Sequence, residues 1–122
     1  MTKKRISIVA VFVVLTIIGV LIYLGRNRNS NQALFFYGDT CPHCKIVEEY
    51  MNNNQTEKAV PMRKFEVYKN PINAKILQDK AKQCGINEQE IGVPLLWKDG
   101  KCYIGEEEII NLFKSITNPN NL

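Results

Sequence analysis

Ile6–Leu24 is a run of 19 residues without a charge, ISIVAVFVVLTIIGVLIYL, and it divides the chain before any other feature is weighed. As a helix rising about 1.5 Å per residue it would span roughly 29 Å, close to the hydrocarbon thickness of a bilayer. The small domain left by the rest of the chain could hardly surround such a helix, which argues against a buried core element. A cleaved signal peptide would carry a shorter apolar region, about 7–15 residues, ending at small side chains. Here the run leads into Gly25-Arg26-Asn27-Arg28, and no cysteine follows closely enough to take a lipid. The expectation is an uncleaved signal anchor over 6–24, with Tyr23 near its far end suited to the interface. Lys3, Lys4, Arg5 and the amino terminus outweigh Arg26 and Arg28 across the span. Residues 1–5 are therefore expected to stay cytoplasmic, making this a single-pass cell-membrane protein whose C-terminal domain is extracytoplasmic.

The same segment explains the charge. The formal net charge is +4, but Lys3, Lys4, Arg5, Arg26 and Arg28 all precede residue 30. From Ala33 onward there are 11 Lys and Arg against 12 Asp and Glu, a net −1, so a basic nucleic-acid face is excluded and no nucleic-acid partner is expected. At 45% hydrophobic and 23% charged the chain is too apolar to be disordered. Four cysteines are too few for a disulfide-stapled miniprotein, which leaves their spacing to be read.

Residues 25–32, GRNRNSNQ, are polar and aperiodic and read as a tether to a domain at 33–117, with 118–122 as a tail. Ala33–Tyr37, ALFFY, has strand character and ends at Gly38-Asp39-Thr40. A helix is predicted from Pro42 to about Met51 with Ile46, Val47, Tyr50 and Met51 on one face, stopped by Asn52-Asn53-Asn54. Arg63–Tyr68 alternates as a second strand. Asn70-Pro71 supplies an N-cap and a first-turn proline for a helix whose stripe is Ile72, Ile76, Leu77, Ala81 and Cys84, ending at Gly85. Asp99-Gly100 between PLLWK and KCYI predicts a hairpin, and Glu106–Glu108 open a last helix with Ile109, Ile110, Phe113 and Ile116 on its apolar face. The order β-α-β-α-β-β-α gives an α/β fold. A four-stranded mixed sheet with helices on both faces satisfies it.

Cys41-Pro42-His43-Cys44 carries the chemistry. Cys41 falls at a strand-to-helix junction, where unpaired backbone N–H groups and the helix dipole favour a thiolate. Cys44, one turn on, is placed to resolve a mixed disulfide on Cys41. Pro42 suits the first turn. His43, the only histidine, either adds a positive charge or donor near Cys41 or is an ordinary exposed helix residue. Half of a zinc site is the other reading of a lone C-x-x-C. Cys84 and Cys102 match no paired ligand spacing, so no metal is expected.

Phe36–Cys44, FYGDTCPHC, resembles the active-site segment of the thioredoxin superfamily, and Gly92-Val93-Pro94 is similar to its cis-proline loop. The likeness runs from Ala33 to about Ile116. The short form is similar to glutaredoxins, and the Pro-His dipeptide to the periplasmic disulfide oxidases of the superfamily. The resemblance implies a thioredoxin-like fold, Cys41 as nucleophile, Cys44 as resolving thiol, and Val93 and Pro94 beside the substrate backbone, with no cofactor. Two departures stand out. Gly105 is followed by Glu106, Glu107 and Glu108 where glutaredoxins dock glutathione, so glutathione is not expected as partner. Phe35 occupies the place of the buried carboxylate of thioredoxin, six positions before the first cysteine.

Cys84 and Cys102 are either two ordinary buried cysteines or, in an exported domain where free thiols pair, a structural bridge. The expectation for the whole chain is a membrane-anchored thiol–disulfide oxidoreductase acting on exported protein thiols and disulfides, with a membrane redox partner. A reductase fed from the membrane, and a tethered module that binds metal or a partner without turnover, are the alternatives.

Overall fold

Ala33–Tyr37 (β1) is apolar at every position because both of its faces are covered. The computed structural model describes residues 2–27 and 32–118. Within the unit Asn31–Leu122, β1 pairs in parallel with β2 (Met62–Glu66) on one side and antiparallel with β3 (Leu95–Lys98) on the other. β4 (Lys101–Ile104) completes a four-stranded mixed sheet in the order β2-β1-β3-β4. Side chains alternate across a strand, so Ala33 and Phe35 enter one core while Phe36 enters the other.

The first core is closed by α2 (Pro42–Asn53), the short α3 (Thr56–Ala59) and α5 (Gly105–Thr117), which bring Val47, Met51, Ile109 and Phe113 against Phe35 and Leu96. The second lies under α4 (Pro71–Gln83), where Leu77 joins Phe36, Phe65 and Leu95. The Phe36 and Phe65 rings stack with centroids 5.3 Å apart across the β1–β2 pair.

Local chemistry sets the ends of these elements. Asn70 Oδ1 accepts from the N–H groups of Ile72 and Asn73, and Pro71 takes the first position of α4. Asp99 and Gly100 both have positive φ, 51° and 80°, as the two-residue β3–β4 turn requires. The Glu108 carboxylate accepts from the Ile104 N–H at 2.8 Å and caps α5.

Three expectations are corrected. Ile46 is exposed, because the buried stripe of α2 is Cys44, Val47 and Met51 at spacings of three and four. Ile72 is 72% exposed, since Leu77 and Ala81 are the buried positions of α4 and Ile72 sits a turn beyond them. The second strand ends at Glu66 rather than Tyr68, because the Glu66 carboxylate accepts from the N–H groups of Tyr68 and Lys69 and turns the chain out of the ladder. The α3 turn, entered through Gln55 at φ 48°, was not expected.

In the other unit, Met1–Ser30, α1 covers Thr2–Asn27, so helix extends over Gly25–Asn27, the start of the expected tether. Its side chains from Ile8 to Leu24 are exposed, and the Thr16 hydroxyl donates to the Val13 carbonyl at 2.8 Å. Among the described residues no helix is long and apolar enough to cross a membrane, at odds with the transmembrane helix expected at 6–24. Residues 28–31 of the tether and 119–122 of the tail, like Met1, lie outside the described residues.

Cys84, at the end of α4, is bonded to Cys102 on β4, with Cα atoms 6.0 Å apart. The bridge ties the helix of the second core to the edge strand and closes a separation of 18 residues. In the chain-entropy model such a loop contributes about 3 kcal/mol. A Cys84→Ala/Cys102→Ala double variant is expected to lose about that much in denaturant unfolding, with the fold retained.

Candidate active site

The chain leaves β1 at Tyr37 and turns at once, with the Cys41 N–H donating to the Gly38 carbonyl at 3.1 Å. That turn delivers Cys41 to the N-cap of α2, with Pro42 in the first turn. The Cys44 N–H donates to Cys41 Sγ at 3.2 Å, so a helix-terminal donor lacking an intrahelical partner is aimed at the sulfur. Cys41 and Cys44 are bonded, with Cα atoms 5.2 Å apart. Cys41 is 5% exposed and Cys44 fully buried, which makes Cys41 the sulfur that an incoming thiolate can reach.

Val93 and Pro94 lie directly beside this pair. Their peptide bond is cis, and Cys41 Sγ is 3.8 Å from the Val93 carbonyl oxygen. Pro94 is held in turn by α5, whose Gly105 N–H donates to the Pro94 carbonyl at 3.0 Å. Because Leu95 stands opposite Phe36 in the sheet, the start of β3 and the end of β1 coincide, and the proline loop meets the helix N-terminus.

His43 lies in the first turn of α2. Its Nδ1 donates to Glu106 Oε2 at 2.7 Å, joining the first turns of α2 and α5. The ring is 67% exposed and the carboxylate 34%. Neither residue's neighbourhood predicts this contact from sequence, since the partners are 63 positions apart.

A second pair braces the loop before Cys41. Asp39 and Lys69 form an ion pair between the β1–α2 turn and the segment after β2. The hydrogen bond from Lys69 holds the Asp39 carboxyl below its ordinary 3.8, and the same bond raises Lys69 above 10.5. The contact is therefore complete at neutral pH. It is lost as pH falls through the lowered Asp39 value or rises through the raised Lys69 value. Next to it, Tyr68 lies against Gly38 so closely that a Cβ on residue 38 would sit 2.3 Å from the ring. Glycine at 38 is what lets that ring cover the turn.

Two clefts flank the proline loop. One, of about 480 Å³, is bounded by Val67, Tyr68, Leu77, Ile91 and Val93. The other, of about 550 Å³, is bounded by His43, Val93, Pro94 and the Glu106–Glu108 turn. Cys84 and Cys102 belong to neither. Cys102 pairs with Trp97, which stands opposite Leu34, toward the other end of the strands.

No family model matches the chain, and no curated protein does. Among solved structures, it superposes on a mutant of the thioredoxin-like protein BC3987 with a TM-score of 0.50 at 22% identity, over 71% of this chain and 95% of that one. The fold is thioredoxin-like. A glutaredoxin (grx-1) from Archaeoglobus fulgidus aligns with a TM-score of 0.49 at 19% identity, over 75% of this chain and 90% of that one. In this thioredoxin-like frame the sheet places Cys41, Pro42, His43, Cys44, Val93 and Pro94 together at one end. Phe35, where a carboxylate would stand in thioredoxin, is fully buried. Sequence reading did not find Glu106 as a neighbour of His43, nor Tyr68 and the Asp39–Lys69 brace.

In a Lys69→Ala variant the Asp39 carboxyl, followed by NMR titration, is expected to move up toward 3.8.

Proposed function

We propose that this chain is a membrane-anchored thiol–disulfide oxidoreductase that exchanges disulfides with exported proteins through Cys41 and Cys44. The observation that carries this reading is the placement of Cys41 Sγ, which receives a backbone N–H from the first turn of α2 and lies beside the Val93–Pro94 loop. In the oxidising direction, a substrate thiolate attacks Cys41 Sγ. The Cys41–Cys44 bond breaks, and Cys44 leaves with the electron pair and takes a proton. A second substrate thiolate then attacks the substrate sulfur of the mixed disulfide. The substrate departs oxidised, and Cys41 is released as a thiolate facing the Cys44 N–H. A membrane partner carrying its own disulfide reoxidises the pair by the same exchange in reverse. No cofactor is needed for either step.

His43, when protonated, stabilises that thiolate and so favours the oxidase direction. A specific observation supports the reductase reading as second choice. Glu106 engages the ring, so a carboxylate accompanies any positive charge on His43. The Glu106–Glu108 turn bounding one cleft also disfavours glutathione, which carries two carboxylates, and favours protein thiols.

Cys41→Ser is expected to abolish insulin-disulfide reduction by the chain, whereas Cys44→Ser should accumulate a mixed disulfide on Cys41, visible by non-reducing electrophoresis and mass spectrometry. Wild-type protein with no exchange activity would overturn the reading.

The anchor and the compartment form part of the proposal. Support comes from the uncharged stretch Ile6–Leu24, from α1 running over Thr2–Asn27 with exposed apolar side chains, and from the intrahelical bond that satisfies Thr16. The Cys84–Cys102 bridge suits an oxidising compartment. The chain is expected to sediment with membranes after a carbonate wash. A reporter fused after Leu122 should be active only outside the cytoplasm, and activity confined to the cytoplasm would reverse the topology.

A further inference from the structure

We propose that Glu106 is a positioning residue that sets the redox equilibrium of the Cys41–Cys44 pair by holding His43. The inference rests on the thiol–disulfide reading above and concerns how this site is tuned.

An exposed histidine on the first turn of a helix has no reason to keep one rotamer. Here the ring is two-thirds exposed yet engaged, because Nδ1 donates to Glu106 Oε2 at 2.7 Å across two helices that are far apart in sequence. A carboxylate only accepts, so the proton on Nδ1 is committed to Glu106. The ring can then offer Cys41 neither that donor nor an unaccompanied positive charge. The carboxylate also adds a negative charge at the edge of the site, where the reduced pair carries a thiolate. Both effects raise the free energy of the reduced form and leave the disulfide form nearly untouched.

The other charged groups near the cleft are accounted for. Glu108 is occupied by the Ile104 N–H, and Asp39 is paired with Lys69. Glu107 bounds the same cleft, but among the described residues Glu106 alone bonds to His43. Glu106 thus weakens the chain as an oxidant relative to the same Cys-Pro-His-Cys segment with an unrestrained ring.

The equilibrium to measure is exchange with 2-mercaptoethanol, an uncharged probe. The protein disulfide and two thiol molecules give Cys41 thiolate, Cys44 thiol, the probe disulfide and one proton. In the full chain held in mild detergent, Glu106→Gln keeps the size of the side chain and removes the charge. It is expected to shift this equilibrium toward reduced protein by about three- to tenfold and to bring Cys41 thiolate absorbance in at lower pH. In a His43→Ala background the same change should shift it by about twofold or less, since the ring through which Glu106 acts is gone. Glu106→Asp, charged but one methylene shorter, should fall between wild type and Glu106→Gln.

No shift in Glu106→Gln, or an equal shift in both backgrounds, overturns the positioning role while leaving the oxidoreductase reading intact. A wild-type chain that does not equilibrate with the probe at all overturns both.

Discussion

A single backbone donor, the Cys44 N–H aimed at Cys41 Sγ over 3.2 Å, depends on almost everything else in the domain. It exists only if α2 begins at Pro42, and α2 begins there because β1 ends at Tyr37 and the chain turns through Gly38. β1 in turn cannot slide. Its residues alternate between two cores, and a slip of one position would move Phe35 and Phe36 each into the wrong one. The surroundings of the sulfur are thus a consequence of the register of a strand that ends four positions before Cys41.

Three backbone segments converge on that point from different parts of the sequence. The N-terminus of α2 brings the sulfurs, the cis Val93–Pro94 bond brings a carbonyl, and the start of α5 holds the proline through the Gly105 N–H. His43 and Glu106 add a side-chain tie between the two helix starts. The ends of both helices are polarised in the same sense, with positive partial charge toward the site. On α5 that field is partly answered by the three carboxylates of its first turn, whereas α2 carries no acidic residue in its first turn. The field around Cys41 is therefore uneven by construction, and the helix that bears the cysteines carries no carboxylate of its own at its positive end.

Much of this was legible in the sequence where the signal was local. Asn70-Pro71 capped α4, and Asp99-Gly100 turned the hairpin, because each works through its own backbone geometry. The β-α-β-α-β-β-α order followed from periodicity. Where the reading missed, a longer-range fact decided. Ile46 and Ile72 are apolar and helical, but which helix face meets the sheet is set by packing, and both fall outside it. The early end of β2 hinges on one carboxylate, Glu66, folding back on two amides. Within the site, the adjacent residues 41–44 were readable as a unit, and the proline loop through family resemblance. Glu106 was read as a helix start and an obstacle to glutathione, never as a partner of His43, because nothing short of the tertiary fold brings them together.

Trp97 adds one consequence. It is the only tryptophan in the chain, and it pairs across the hairpin with Cys102, with the Lys80 ammonium 4.0 Å from its ring. Its indole therefore neighbours the structural bridge and lies toward the opposite end of the strands from Cys41. Tryptophan emission would in this molecule respond to the state of Cys84–Cys102. The reactive pair has no tryptophan beside it and would have to be followed by another signal.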